Sequence, residues 1–88
     1  MNKEKFFNFD PDIKKTIAYN IRKYRKIKGY TQEQLALYAE LSYDFVRRIE
    51  TMKGKSGFSV ETIYRIATVL EIPIDYLTKK ENELIETK

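Results

Sequence analysis

The sequence predicts an all-α fold of five helices without a β-sheet, and three observations favour this. Apolar residues recur every three or four positions along most of the chain, which places them on one face of each helix. Residues that commonly cap helices, such as serine, threonine and aspartate, stand just before these apolar runs. Glycine or proline stands where two of the runs end. The 88 residues suit one small domain with a modest core, since 42% of them are hydrophobic.

The first predicted helix begins near Asp10 and ends before Gly29. Asp10 can cap it, Pro11 suits its first position, and Asp12 suits the positive end of the helix dipole. Gly29 stands where a residue in the left-handed conformation usually ends a helix. The apolar face of this helix is predicted to consist of Ile13, Ile17, Ile21 and Tyr24.

Capping residues also mark the second and third helices. Thr31 and Gln34 have the spacing of a capping box, and Ser42 suits the N-cap of the third helix. Small side chains dominate the predicted inner face of the second helix, which lets another helix come close. The residues expected to face the core are Leu35, Ala36 and Ala39 in the second helix and Val46 and Ile49 in the third.

The fourth helix is predicted to begin after Ser59 and to end before Pro73, which also suits the start of a short fifth helix. Its apolar face contains Val60, Ile63, Ile66, Ala67 and Leu70, and the fifth helix contains Ile74, Tyr76 and Leu77. Four tyrosines are expected to be core or half-buried, namely Tyr19, Tyr24, Tyr38 and Tyr64. We expect an N-terminal arm over residues 1–9, the helical domain over 10–77 and a charged C-terminal tail over 78–88.

The residue inventory excludes several function classes. The chain has no cysteine and no histidine, so it lacks a common nucleophile, the commonest general base and the commonest metal ligand. It has neither a glycine-rich phosphate loop nor a nucleophile-elbow motif, and Asp10 and Asp12 are explained better as helix caps than as a metal pair. We therefore predict no enzyme and no cofactor or metal site. No apolar run is long enough for a signal peptide or a membrane span, so we expect a soluble cytoplasmic protein.

Charge is distributed unevenly along the chain, whose net charge is +4. Between Lys14 and Lys28 there are seven basic residues and no acidic one, whereas acids outnumber bases from Ser59 onwards. A basic half is typical of a protein that binds a polyanion, although a solvated helix face explains the same charges.

The joint between the second and third helices indicates how a polyanion could be read. Two short helices separated by three or four residues are typical of a helix-turn-helix, in which the second helix enters the major groove of DNA. Val46 and Ile49 lie on one predicted face of the third helix. The opposite face contains four polar or aromatic residues, Tyr43, Asp44, Arg47 and Arg48.

Several motifs around this joint occur together in one known family. TQEQLA opens the second helix, LSYDFVRRIE spans the joint and the third, and VETIYRIATVLEIPIDYL covers the fourth and fifth. In this order and spacing, the chain from about Ile17 to Leu77 closely resembles the phage-repressor-like helix-turn-helix family of XRE/Cro type. The resemblance implies a five-helix lambda-repressor-like DNA-binding domain. The chain departs from it at Met52, where members often have glycine, and at Phe58, where they often have proline.

The resemblance also implies roles for individual residues. Arg25 and Glu50 match a pair that often forms an internal salt bridge in this family. The predicted base-reading residues are Tyr43, Asp44, Arg47 and Arg48. The predicted contacts to the DNA backbone are Thr31, Gln32, Ser42, Phe45, Lys53 and Lys55.

The chemistry of the third helix leaves alternatives open at four positions. Arg48 suits O6 and N7 of guanine, and otherwise is solvated or paired with a glutamate. Asp44 can accept from the cytosine amino group, favour the positive end of the helix dipole, or hold Arg48 four residues on. Tyr43 suits a thymine methyl or a phosphate, and otherwise is an exposed aromatic or a dimer contact. Arg47 suits a base or a phosphate.

We therefore predict a small transcriptional regulator, of repressor type, that binds double-stranded DNA sequence-specifically with residues 43–51 in the major groove. Family behaviour implies a homodimer on a pseudo-palindromic site whose half-sites lie about one helical turn, roughly 34 Å, apart. The expected dimer surface is the apolar region that contains Tyr76, Leu77, Leu84 and Ile85. The alternative is an antitoxin or other protein-interaction module whose tail, residues 79–88, binds a partner protein.

Overall fold

The computed structural model describes residues 9–51 and 57–80 of the chain. These two ranges contain five helices and no strand, so the predicted all-α, five-helix fold is confirmed. The helices are α1 (Ile13–Lys28), α2 (Gln32–Ala39), α3 (Tyr43–Thr51), α4 (Val60–Leu70) and α5 (Ile74–Thr78).

Most helix ends form as their local sequence predicts. Thr31 and Gln34 make both bonds of the capping box at the start of α2. The Ser59 hydroxyl accepts a hydrogen bond from the Thr62 backbone N–H and caps α4. Gly29 ends α1 with φ of 84°, in the left-handed region that glycine tolerates best.

The start of α1 differs from the prediction. Asp10 does not cap the helix, and Pro11 lies before it, because the first helical residue is Ile13. The Asp10 carboxylate instead accepts the backbone N–H of Asp12 at 2.8 Å and the hydroxyl of Thr16 at 2.7 Å. Asp10 therefore fixes the chain just outside the helix, and Asp12 occupies the N-cap without a side-chain bond.

One apolar core joins all five helices. α1 packs against α3, α4 and α5, and the small inner face of α2 packs against α3 and α4. The core cluster contains Ile17, Ile21, Leu35, Ala36, Val46, Ile49, Ile63, Ile66, Ala67, Leu70 and Leu77. Burial of the inner residues of α2 and α3 confirms which faces of these helices point inward.

Several residues predicted to be buried are exposed instead. Val60 is 81% exposed because it is the first residue of α4 and lies a full turn before the buried part of that helix. Tyr19 is exposed because it falls on the side of α1 opposite the core residues Ile17 and Ile21. The other departures are Tyr38, Tyr64 and Ile13, which are also exposed, whereas Tyr24 is half-buried as expected.

A buried polar side chain fixes the last helix. The Nδ2 of Asn20, in α1, donates to the backbone carbonyls of Leu77 at 2.9 Å and Lys79 at 2.8 Å. These bonds satisfy carbonyls that the end of α5 leaves without a helical partner. They also hold Leu77 against α1 with no exposed surface, so the prediction that Leu77 contributes to a dimer surface is wrong.

Candidate nucleic-acid interface

A three-residue turn, Glu40–Leu41–Ser42, connects α2 to α3. Glu40 adopts the left-handed conformation with φ of 59°, and its N–H bonds to the Leu37 carbonyl. The N–H of Leu41 bonds to the Ala36 carbonyl at 2.8 Å, which completes a Schellman-type end to α2. Ser42 then begins α3, because its hydroxyl accepts the N–H of Phe45 at 3.0 Å. The turn is therefore held by local hydrogen bonds on both sides.

Arg65 of α4 braces the same turn from outside, a contact that sequence reasoning missed. Its Nη1 donates to the carbonyls of Ala39 at 3.4 Å and Glu40 at 3.2 Å. Its Nη2 is held by the carboxylate of Glu61 at 2.9 Å. The only sequence signal was an arginine four residues after a glutamate on a largely apolar helix, which does not reveal the distant carbonyls.

The two faces of α3 differ completely. Val46 and Ile49 are buried, whereas Tyr43 is 46% exposed. The other predicted base-reading residues, Asp44, Arg47 and Arg48, are also exposed and lie on that outer side. The four side chains lie together at the surface, and we call this group the reading face. Phe45 lies at its edge, half-buried against the core.

Asp44 contacts both arginines of the reading face. Its Oδ1 accepts from Arg47 Nη2 at 2.6 Å, and its Oδ2 accepts from Arg48 Nε at 2.9 Å. These two hydrogen bonds, of which the one from Arg47 has the larger effect, hold the pKa of the Asp44 carboxyl below its usual value of 3.8. Arg48 also lies beside Phe45, with Cζ 5.9 Å from the ring centroid, within the range of a cation–π contact.

Another ion pair joins α1 to the end of α3. Glu50 accepts from Arg25 through Nε at 2.7 Å and through Nη2 at 2.9 Å, which is bidentate geometry. The Glu50 and Arg25 side chains are only 1% and 9% exposed. Arg25 Nη1 also donates to the Tyr30 carbonyl at 2.7 Å. Arg25 is therefore a structural residue despite its positive charge.

Gln32 belongs to this network as well. Its Nε2 donates to Glu50 Oε1 at 2.9 Å, which ties the first residue of α2 to α3. An amide nitrogen carries two hydrogens, so this bond leaves a second one for another acceptor. Thr31 precedes it as the cap of α2, with its hydroxyl engaged by the Gln34 N–H. Lys53 and Lys55, also predicted to contact the DNA backbone, lie outside the described residues.

The arrangement suits recognition of a large anionic surface. Arg65 of α4 braces the turn before α3, and Arg25 of α1 and Gln32 of α2 hold the end of α3 through Glu50, so the reading face lies on a helix fixed at both ends. Over the described ranges, no group of acidic residues is arranged to hold a metal ion. None of the five helices is long and apolar enough to span a bilayer.

Comparisons with known proteins agree with this geometry. The family described as Helix-turn-helix matches this chain over residues 21–77, which is more than half of its length. A solved structure titled as that of the hypothetical transcription factor NHTF from Neisseria is 26% identical to it, with a TM-score of 0.79. That likeness covers 86% of this chain and 83% of the Neisseria chain. Among curated protein sequences, none matches this chain.

Proposed function

The chain belongs to the helix-turn-helix family of DNA-binding regulators, and from this membership we propose that it regulates transcription by binding double-stranded DNA sequence-specifically. In this proposal α3 lies in the major groove with the reading face against the base edges. One observation carries it, namely that α3 buries Val46 and Ile49 while it exposes charged and aromatic groups on the other side.

The proposed base contacts follow from side-chain chemistry. Arg48 binds O6 and N7 of a guanine, a pair that discriminates against other bases by about 1–3 kcal/mol. Tyr43 contacts a thymine methyl group or a phosphate, and Arg47 contacts a base or a phosphate. Asp44 lies among them with both carboxylate oxygens already bound to arginine.

The proposed backbone contacts lie around the reading face. Gln32 and Thr31 stand at the N-terminus of α2, where helix amides and the helix dipole favour a phosphate. Ser42 and Phe45 stand at the beginning of α3, and Lys53 and Lys55 follow that helix in the sequence. Contacts of this kind fix the orientation of α3 without reading sequence.

We propose that the protein acts as a homodimer in the cytoplasm, on two half-sites about one helical turn apart. Ile74 and Tyr76 of α5 are 42% and 40% exposed and provide apolar surface for a second copy, whereas Leu84 and Ile85 lie outside the described residues. Light scattering that finds only monomer at roughly 50 μM protein would contradict the dimer. No observation favours the antitoxin alternative, since the tail that it requires is described only as far as Lys80.

Selection from a random duplex library tests the proposed function, with the parent protein, Arg48→Ala and Arg22→Ala compared at about 150 mM salt. Arg22 is an exposed arginine of α1, so its replacement removes the same charge from a different helix, outside the reading face. We expect the parent and Arg22→Ala to enrich the same pseudo-palindrome. Arg48→Ala is expected to lose preference at one base pair of each half-site. Weak, salt-sensitive binding without enrichment by the parent would refute sequence-specific recognition.

A further inference from the structure

Resting on the proposed function, we propose that Asp44 is a positioning residue that determines specificity. Its carboxylate holds the Arg48 guanidinium so that the two terminal nitrogens, Nη1 and Nη2, bind guanine. In this assignment Asp44 touches no base. Asp44 instead determines which edge of the Arg48 guanidinium contacts a base, and its negative charge reduces the attraction of the protein to DNA of any sequence.

Two neighbouring side chains hold the Arg48 guanidinium. Its Nε donates to Asp44 Oδ2 at 2.9 Å, and its Cζ lies 5.9 Å from the ring centroid of Phe45. Phe45 in turn packs against the core, so it gives the arginine a fixed support. Neither Nη1 nor Nη2 of Arg48 bonds to any residue in the described ranges. An arginine restrained in this way loses less conformational freedom when it binds a base.

The carboxylate geometry argues against cytosine reading by Asp44. Each of its oxygens accepts a short charge-assisted bond, from Arg47 at 2.6 Å and from Arg48 at 2.9 Å. A cytosine amino group would have to use the remaining lone-pair site of an oxygen that already accepts from an arginine. The fork geometry of Arg48 suits the O6 and N7 of guanine instead, because both of those atoms are acceptors.

Charge gives Asp44 its second effect. Arg47 and Arg48 alone would give the reading face two positive charges, and the carboxylate reduces this to one. Phosphate attraction is independent of sequence and grows with the number of cations, so Asp44 weakens nonspecific binding. Specificity is a difference between affinities, so a penalty that falls equally on cognate and unrelated duplexes leaves it unchanged, and the effect of Asp44 on specificity rests on how it holds Arg48.

The chain offers a matched control at Glu61. Like Asp44, this glutamate lies in the first turn of its helix and binds an arginine four residues later, with 2.9 Å between Glu61 Oε2 and Arg65 Nη2. Glu61→Gln therefore removes the same charge from the same kind of pair, but on α4. A general effect of charge or helix capping would appear in both variants, whereas positioning of Arg48 appears only in Asp44→Asn.

The experiment measures the affinity of the parent, Asp44→Asn, Arg48→Ala, the double variant and Glu61→Gln. Each is tested on the duplex enriched by the parent, on that duplex changed at each base pair in turn, and on an unrelated duplex. We expect Asp44→Asn to lose roughly 2- to 12-fold of the preference at the base pair read by Arg48, the cost of ordering one free arginine. It should also bind the unrelated duplex more tightly, with a steeper salt dependence.

Two further results support the assignment. The double variant should lose no more base preference than Arg48→Ala alone, and Glu61→Gln should keep the preference of the parent. Thermal melting of every variant separates these effects from a loss of folding, since support for the helix dipole alone would change stability without changing base preference.

Three results would overturn the assignment. The first is an unchanged preference in Asp44→Asn at the base pair that Arg48→Ala affects. The second is a loss by Asp44→Asn at a different base pair, which would make Asp44 a reader of cytosine. The third is an equal loss by Glu61→Gln. Absence of any enriched sequence with the parent would refute the proposed function itself, so the two failures are distinguishable.

Discussion

Replacing Glu50 by alanine tests the ion pair that joins α1 to α3. Glu50→Ala removes the acceptor of three hydrogen bonds, two from Arg25 and one from Gln32. It leaves the Arg25 guanidinium, whose side chain is 9% exposed, with only the Tyr30 carbonyl as a partner among the described residues. Removing one partner of a buried ion pair typically costs 3–5 kcal/mol, and we expect about 3 kcal/mol because that carbonyl bond remains.

This loss is large for so small a domain. At about 4–8 °C per kcal/mol for a domain of this size, Glu50→Ala should lower the melting temperature by roughly 12–24 °C. Arg48→Ala is the control, because that arginine is exposed on the same helix and its loss should shift the melting temperature by no more than about 4 °C. Both are measured by circular dichroism at one protein concentration, because a dimer makes melting concentration-dependent.

Equal melting temperatures of Glu50→Ala and Arg48→Ala would refute the reasoning. A double variant, Arg25→Met with Glu50→Leu, separates the loss of the pair from the exposure of a lone charge. Because it buries no unpaired ion, it should be more stable than Glu50→Ala. If the double variant were the less stable of the two, the pair itself, rather than the stranded guanidinium, would carry the stabilisation.

Two further predictions concern stability. Asn20→Ala should lower the free energy of unfolding by about 1–3 kcal/mol in urea titrations, because it leaves the Leu77 and Lys79 carbonyls without their donor; a change equal to that of the exposed neighbour Tyr19→Ala would contradict this. A hydrogen bond from Lys28 holds the pKa of Glu71 below its usual 4.5, so this pair stabilises the fold above that pH and less as the pH falls. Glu71→Gln should therefore make the fall in melting temperature at acid pH less steep than in the parent. An equally steep fall in both proteins would show that the pair contributes nothing.

The parts of the fold that could be predicted depend on residues close in sequence. The Thr31–Gln34 capping box and the Ser59 cap join residues three apart, so the chain itself reveals them. The burial of Leu77 depends on Asn20, which lies 57 residues away, and no local pattern indicates that contact. The position of Asp10 before Pro11 predicts a helix cap, whereas its bond to Thr16 spans six residues and lies beyond the reach of capping rules.

Tyrosine was the least predictable residue type for a related reason. Its ring packs like an apolar group while its hydroxyl tolerates water, so helical spacing alone does not decide burial. Tyr24 is half-buried because Tyr76 of α5 lies against it, with ring centroids 5.8 Å apart. Tyr19, five residues earlier on the same helix, lies on the far side of α1 and is 59% exposed.

The candidate site also has parts that the sequence predicts and parts that it does not. Periodicity alone placed Tyr43, Asp44, Arg47 and Arg48 on one face, because α3 is a regular helix. The pairing of Arg25 with Glu50 was available only from the family resemblance, since the two residues are 25 positions apart. The contacts of Gln32 with Glu50 and of Arg65 with the turn had neither a local pattern nor a family motif to indicate them.

These long-range contacts separate the framework of the site from its reading face. Arg25, Glu50 and Arg65 hold α3 and the preceding turn through bonds from α1 and α4, and Glu50 has almost no exposed side chain. Asp44 and Arg48 are exposed, and their bonds join neighbours on a single helix. Framework variants should therefore weaken binding to every duplex by one common factor, since they change only the fraction of molecules that is folded. Reading-face variants should change the ratio between duplexes at nearly constant stability. A framework variant that changed base preference without lowering stability would show that the two sets are coupled.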